Sequence, residues 1–127
     1  IALLSLGPIG NTAAEAIRLF EQQQAQEGHP LTVAHYDMRF LKPLDENILH
    51  KVGTHFSRII TIEDGVICGG LGSAVLEYMS YHDFFPKVTR MGLPDYFVEH
   101  GTVEQLRQIA GIDRDAIVSQ LRSISQK

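Results

Sequence analysis

A chain of 127 residues with 44% hydrophobic and 20% charged side chains has the balance of one globular domain rather than of a disordered segment. Its net charge of −4 and the lack of any Lys/Arg cluster argue against nucleic acid or an anionic membrane as the main partner. No apolar run approaches the roughly 18 residues of a membrane span, no signal peptide is visible, and the single cysteine, Cys68, excludes an internal disulfide and fits a reducing cytoplasm. The sequence opens at Ile1, inside a strand-like run and without an initiator Met, and is read as a single domain, residues 1–127, that is a piece of something longer.

The run Ile1–Leu6 is almost continuously apolar and reads as a strand buried on both faces. Gly7-Pro8-Ile9-Gly10-Asn11 is turn chemistry. Thr12 and Glu15 have capping-box spacing and open a helix that buries Ala13, Ala16, Ile17 and Phe20. The tract Gln22-Gln23-Gln24 is assigned to its solvated face, and Gly28 and Pro30 end it. A more polar strand occupies Leu31–Tyr36, and Asp45 caps a second helix that buries Ile48, Leu49, Val52 and Phe56.

The strand Arg58–Ile62 stops at the acidic pair Glu63-Asp64, a glycine-rich loop follows, and a helix runs from Ser73 to Tyr81. Lys87–Met91 is a fourth, partly polar strand. Thr102 and Gln105 open a helix that buries Val103, Leu106 and Ala110, and Asp113 caps a last one with Ile117, Leu121 and Ile124 inside.

Alternating strands and helices imply a doubly wound, mainly parallel sheet in a three-layer α/β/α fold, joined by right-handed crossovers. The two most apolar strands belong at the centre, which gives the order 2-1-3-4 and sets the turn after Leu6 beside the loop after Ile62. Ligands of open α/β sheets bind at such a switch point. The loop Glu63, Gly69, Gly70, Gly72 and Ser73 is therefore the candidate site, as an anion cradle at a helix N-terminus or as a close-packing interface joint.

The chemistry favours the joint. GGLGS has neither the lysine of a P-loop nor the spacing of a dinucleotide fingerprint, and Glu63 and Asp64 would repel a phosphate. The two carboxylates are adjacent in extended chain, so they point to opposite faces and do not converge on one substrate; capping of the loop or contact with a basic partner is their simplest role. The six histidines, His29, His35, His50, His55, His82 and His100, show no ligand spacing, so no metal site is assigned. Cys68 has no base beside it in sequence, and Ser73 lacks the nucleophile-elbow context, so its expected role is an N-cap. No residue is assigned as catalytic or cofactor-binding.

Four stretches together resemble one family: Asp37-Met38-Arg39-Phe40-Leu41-Lys42-Pro43-Leu44-Asp45-Glu46, the run from Thr61 to Glu77, Gly92-Leu93-Pro94-Asp95-Tyr96-Phe97 with His100-Gly101, and Ala110-Gly111-Ile112-Asp113. They are similar to the C-terminal domain of 1-deoxy-D-xylulose-5-phosphate synthases, thiamin-diphosphate enzymes of the transketolase group. The first stretch also resembles the β subunit of 2-oxoacid dehydrogenases. The synthase resemblance implies a cytoplasmic, homodimeric parent that condenses pyruvate with glyceraldehyde 3-phosphate in isoprenoid and thiamin precursor synthesis. It implies that thiamin diphosphate and Mg²⁺ are held by the N-terminal and central domains and not by this one, whose role is to complete the assembly.

On that reading Arg39, Lys42, Pro94, Asp95, Phe97 and His100 are candidate interdomain contacts, as is Phe84-Phe85. The resemblance further implies an antiparallel edge strand ahead of Ile1; without it Thr32–Tyr36 lies at an uncovered edge. A stand-alone anion- or nucleotide-binding module is the competing reading.

Overall fold

The computed structural model describes residues 1–39, 43–66, 70–93 and 111–126. Four parallel strands, β1 (Ala2–Leu6), β2 (Ala34–Asp37), β3 (Arg58–Val66) and β4 (Lys87–Leu93), form one sheet in the order β2-β1-β3-β4. The helices are α1 (Ile9–Gln26), α2 (Glu46–His55), α3 (Leu71–Tyr81) and α4 (Arg114–Ser125). The expected strand order is the observed one. The central strands β1 and β3 are covered on both faces and supply most of the buried apolar strand residues, whereas β2 is only half-buried or exposed.

Alternation along the strands divides the core in two. Leu3, Ile60, Ile62 and Met91 point to one face, where they meet Ala13, Ile17 and Phe20 of α1 and Ile117 and Leu121 of α4. Ala2, Leu4 and Ile59 point to the other, against Leu49 and Val52 of α2 and Leu71, Val75 and Met79 of α3. Phe20, Leu3, Leu4, Ile59 and Ile60 are fully buried, and each such side chain contributes roughly 1.5–3 kcal/mol by leaving water.

The N-terminus of α1 differs from the expected capping box. The helix begins three residues before Thr12, with Pro8 at the N-cap and no side-chain cap from that position. Gly7 turns the chain at φ +91° and Pro8 is already helical at φ −59°, so the chain needs no further residue to enter the helix. Thr12 thus lies within the first turn. The glutamine tract is also corrected: Gln24 is buried, and Gln23 Oε1 accepts from Arg122 Nη2 at 2.7 Å, because α4 packs across that side of α1. Arg122 also donates to Glu27 at 2.9 Å and holds that carboxyl below its ordinary range. Asp45 and Asp113 cap α2 and α4 as expected, accepting from Asn47 and Ile48 and from Ala116. The helix expected after Thr102 lies outside the described residues.

Candidate functional site

At the carboxyl edge of the sheet the turn after β1 and the end of β3 are in contact. β3 runs past Ile62, with a register shift against β4 between Ile62 and Val66, so Glu63 and Asp64 belong to the strand and not to a loop. Strand alternation then sends them to opposite faces. Asp64 follows Ile60 and Ile62 to the α1 side, where its Oδ2 accepts the backbone N–H of Ile9 at 3.0 Å. Glu63 follows Ile59 and Thr61 to the α3 side, where its Oε2 accepts the backbone N–H of Gly72 at 3.2 Å.

Each carboxylate therefore occupies a helix N-terminus, α1 for Asp64 and α3 for Glu63. Those are the positions at which unsatisfied N–H groups and the helix dipole would attract an external anion. Glu63 is buried, and its charge sits against the helix end instead of in water. Neither Pro8 nor Gly70, the N-cap residues of the two helices, supplies a side-chain cap of its own. The carboxylates from β3 do this work at a distance.

The glycines fit the same picture. A Cβ on Gly72 would lie 2.6 Å from Arg90 Cγ and 2.8 Å from Thr61 Oγ1, so the first turn of α3 presses directly on β3 and β4. Thr61 Oγ1 is buried there and finds no hydrogen-bond partner among the described residues. Gly70 is the extended N-cap of α3, at φ −93° and ψ −153°. Ser73, expected as the cap, stands inside the first turn instead, because the helix opens at Leu71. Gly69 and Cys68 lie outside the described residues. On the α1 side, a Cβ on Gly10 would come within 3.0 Å of Ser5 Oγ, which is itself 2.8 Å from His35 Nε2. Burial holds the His35 imidazole below its ordinary pKa, against the opposing pull of Asp37.

Of the candidate interdomain residues, Arg39 is described, and it lies apart from this joint. It follows β2 directly, exposed, with a left-handed backbone at φ +58°. An open cleft of about 550 Å³ beside it is lined by Asp37, Met38, Arg39, Pro43, Leu44, Asp45 and Ile48. Lys42, Pro94, Asp95, Phe97 and His100 lie outside the described residues. Phe84 and Phe85 separate: Phe84 packs on Gly53, Met79 and the edge of His50, whereas Phe85 is 87% exposed. Among the described residues no group of three His, Cys, Asp or Glu side chains is placed to hold a metal ion. Sequence reasoning expected Asp64 to cap its own loop and missed its partner, the N-terminus of α1. Its signal was the pairing of a capless Gly7-Pro8 turn with a strand end that the topology sets beside it.

The comparisons with known proteins agree with this fold. A family model described as "Transketolase, C-terminal domain" matches residues 1–117. The chain is 53% identical over 121 residues to the 1-deoxy-D-xylulose-5-phosphate synthase of Bacteroides thetaiotaomicron, covering 95% of this chain and 18% of that protein. It is 48% identical over 122 residues to the synthase of Parabacteroides distasonis, covering 96% and 18%. A solved structure, "Split gene transketolase, inactive beta4 tetramer", superposes with a TM-score of 0.80 at 28% identity, covering 96% of this chain and 38% of that one. The chain thus spans less than a fifth of the length of these synthases. By its strand order, its helix placement and the match over most of its length, the chain belongs to the transketolase C-terminal domain family.

Proposed function

We propose that this chain is the C-terminal domain of a thiamin-diphosphate-dependent 1-deoxy-D-xylulose-5-phosphate synthase, and that it serves the assembly of that enzyme and not its chemistry. The parent would join pyruvate to glyceraldehyde 3-phosphate with loss of carbon dioxide, as a homodimer in the cytoplasm with Mg²⁺. Identity of 53% across nearly the whole domain supports the synthase over the dehydrogenase β subunit.

The observation that carries the assembly role is the use of Glu63 and Asp64 as internal caps. The switch point of the sheet, where an α/β domain would present helix N-termini to a phosphate, is filled by the protein's own carboxylates. The donor set present does not fit a diphosphate–Mg²⁺ group. Two of the acids at the edge are committed to N–H groups on opposite faces, and no cluster of three ligating side chains exists among the described residues. On this reading Glu63, Gly70, Gly72 and Ser73 form a packing joint and not an anion site.

Calorimetry of residues 1–127 with thiamin diphosphate and Mg²⁺ tests this reading. No heat of binding is expected; tight, Mg²⁺-dependent binding sinks it. Titration with inorganic phosphate, followed by the amide resonances of Gly70, Gly72 and Ser73, separates the competing anion module. Unmoved resonances at millimolar phosphate are expected.

A further inference from the structure

We propose that Asp64-Gly65 is a latent self-modification site: once Asp64 lets go of α1, its side chain closes on the Gly65 nitrogen and the residue isomerises to isoaspartate. The proposal goes beyond the assembly role, because it holds for this joint whatever reaction the parent performs.

The sequence supplies the chemistry. Asp64 is followed by glycine, and no other Asp or Asn in the chain is. Glycine has no Cβ, so its nitrogen is unhindered and its backbone adopts readily the conformation that a five-membered ring requires. The Gly65 nitrogen attacks Cγ of the Asp64 carboxyl group. A C–N bond forms, and the carboxyl oxygen leaves as water with the amide proton. Water then opens the resulting succinimide at one of its two carbonyls. Opening at the side-chain carbonyl restores Asp64; opening at the main-chain carbonyl leaves isoaspartate, with the backbone running through Cβ and Cγ. Nothing is oxidised or reduced, and water is the one co-reactant.

The fold supplies the restraint. The pairing of β3 with β1 ends at Leu6 and Glu63, and its pairing with β4 passes from Ile62 to Val66 across the register shift. Among the described residues, Asp64 and Gly65 therefore have no partner in either pairing. The reacting carboxyl is itself a tether here. Its Oδ2 accepts the N–H of Ile9 at 3.0 Å, beneath the turn at Gly7, where a Cβ would lie 3.7 Å from the same oxygen. Ring closure needs that carboxyl to swing from the α1 side to the following peptide nitrogen, and extended backbone keeps the two apart.

The cap of α1 and the guard on Asp64 are thus one hydrogen bond. An opening that frees Ile9 frees the carboxyl, and local openings of this kind are far more frequent than global unfolding. Isomerisation adds a carbon to the main chain and leaves the carboxylate directly on Cα. The product no longer matches the reach to Ile9 while Glu63 stays seated on Gly72, so the tie between β3 and α1 is lost for good.

The test follows the folded full-length polypeptide in heavy-oxygen water, with proteolysis and mass spectrometry of the peptide that carries Asp64. Heavy oxygen taken up there counts ring opening, and methylation by a protein isoaspartyl methyltransferase counts the isoaspartate. Both signals are expected to build up in a short peptide spanning Ile62–Val66, and about tenfold more slowly in the folded protein. Equal rates, or a peptide that stays unmodified, overturn the proposal. Mild urea that speeds hydrogen exchange at the Ile9 amide should speed the modification in proportion; modification indifferent to that exchange overturns it. Ile9→Pro removes the donor at a helix position that tolerates proline, and should bring the rate several-fold toward that of the peptide. An unchanged rate overturns the proposal, and where this variant, which also alters a core position, fails to fold, the urea series on the wild type decides. Gly65→Ala keeps the carboxylate and hinders the nitrogen, so it should slow the modification several-fold in peptide and protein alike; no slowing overturns the assigned chemistry.

Discussion

The carboxyl ends of β3 and β2 lie on the same edge of the sheet, and both place acidic residues next to a turn. At β3, Glu63 and Asp64 turn inward to two helix N-termini, and Gly72 brings α3 down onto the strand without a gap. At β2, Asp37 folds onto the backbone of Arg39 and leaves the guanidinium outside, over an open cleft. Position at the carboxyl edge therefore does not by itself make a ligand site. What decides is whether the polar groups there are already satisfied from within the domain. The central strand, packed on both faces, can reach helices on both sides; the outer strand does not, and Arg39 after it stays at the surface.

Substitutions at three positions of the joint, read by urea unfolding, and a titration with its own His35 variant probe that contrast. Gly72→Val should have the largest effect, a loss of roughly 3 kcal/mol, because even its Cβ would sit below 3 Å from Arg90 and Thr61. Intact stability with selective loss of phosphate binding would turn the β3 end back into a ligand site. Glu63→Ala should cost about 2 kcal/mol, since it strands the N–H of Gly72 in a buried place. Asp64→Ala, at a half-buried cap, should cost about 1 kcal/mol. If the Asp64 change proves the costlier, the α1 side and not the α3 side is the tighter half of the joint.

The smallest effect is the titration of His35. Its imidazole is held below the ordinary 6.5 by burial, so below pH 6.5 the unfolded chain binds a proton that the folded chain does not. Stability should fall as pH drops through 6.5 and level out once the folded form protonates too. His35→Gln should flatten that slope; an unchanged slope would mean that burial does not hold the His35 imidazole below its ordinary pKa in the folded chain.

Much of this was readable beforehand, for identifiable reasons. Strands buried on two faces must be apolar on both, which separated β1 and β3 from β2 and gave the sheet order. Adjacent side chains in a strand must diverge, which excluded a Glu63–Asp64 catalytic pair. The partner of each acid was not readable, because Ile9 and Asp64 are 55 residues apart and no local spacing records that contact. Thr12 and Glu15 have capping-box spacing but lie inside α1, because the Gly7-Pro8 turn and the distant Asp64 start the helix earlier. Burial of Gln24 depends on α4 lying across α1, and nothing in a run of three glutamines reports that. An arginine likewise gives no hint of left-handed backbone; a glycine at position 39 would have.

The consecutive caps have a mechanical consequence. One peptide unit, between Glu63 and Asp64, is anchored to α1 through one side chain and to α3 through the next, and those helices belong to separate hydrophobic cores. It acts as a rivet through the sheet. A displacement of α3 imposed from outside pulls on the same few atoms that hold α1, so the two layers are obliged to move as one body and can pass a load from one face of the domain to the other.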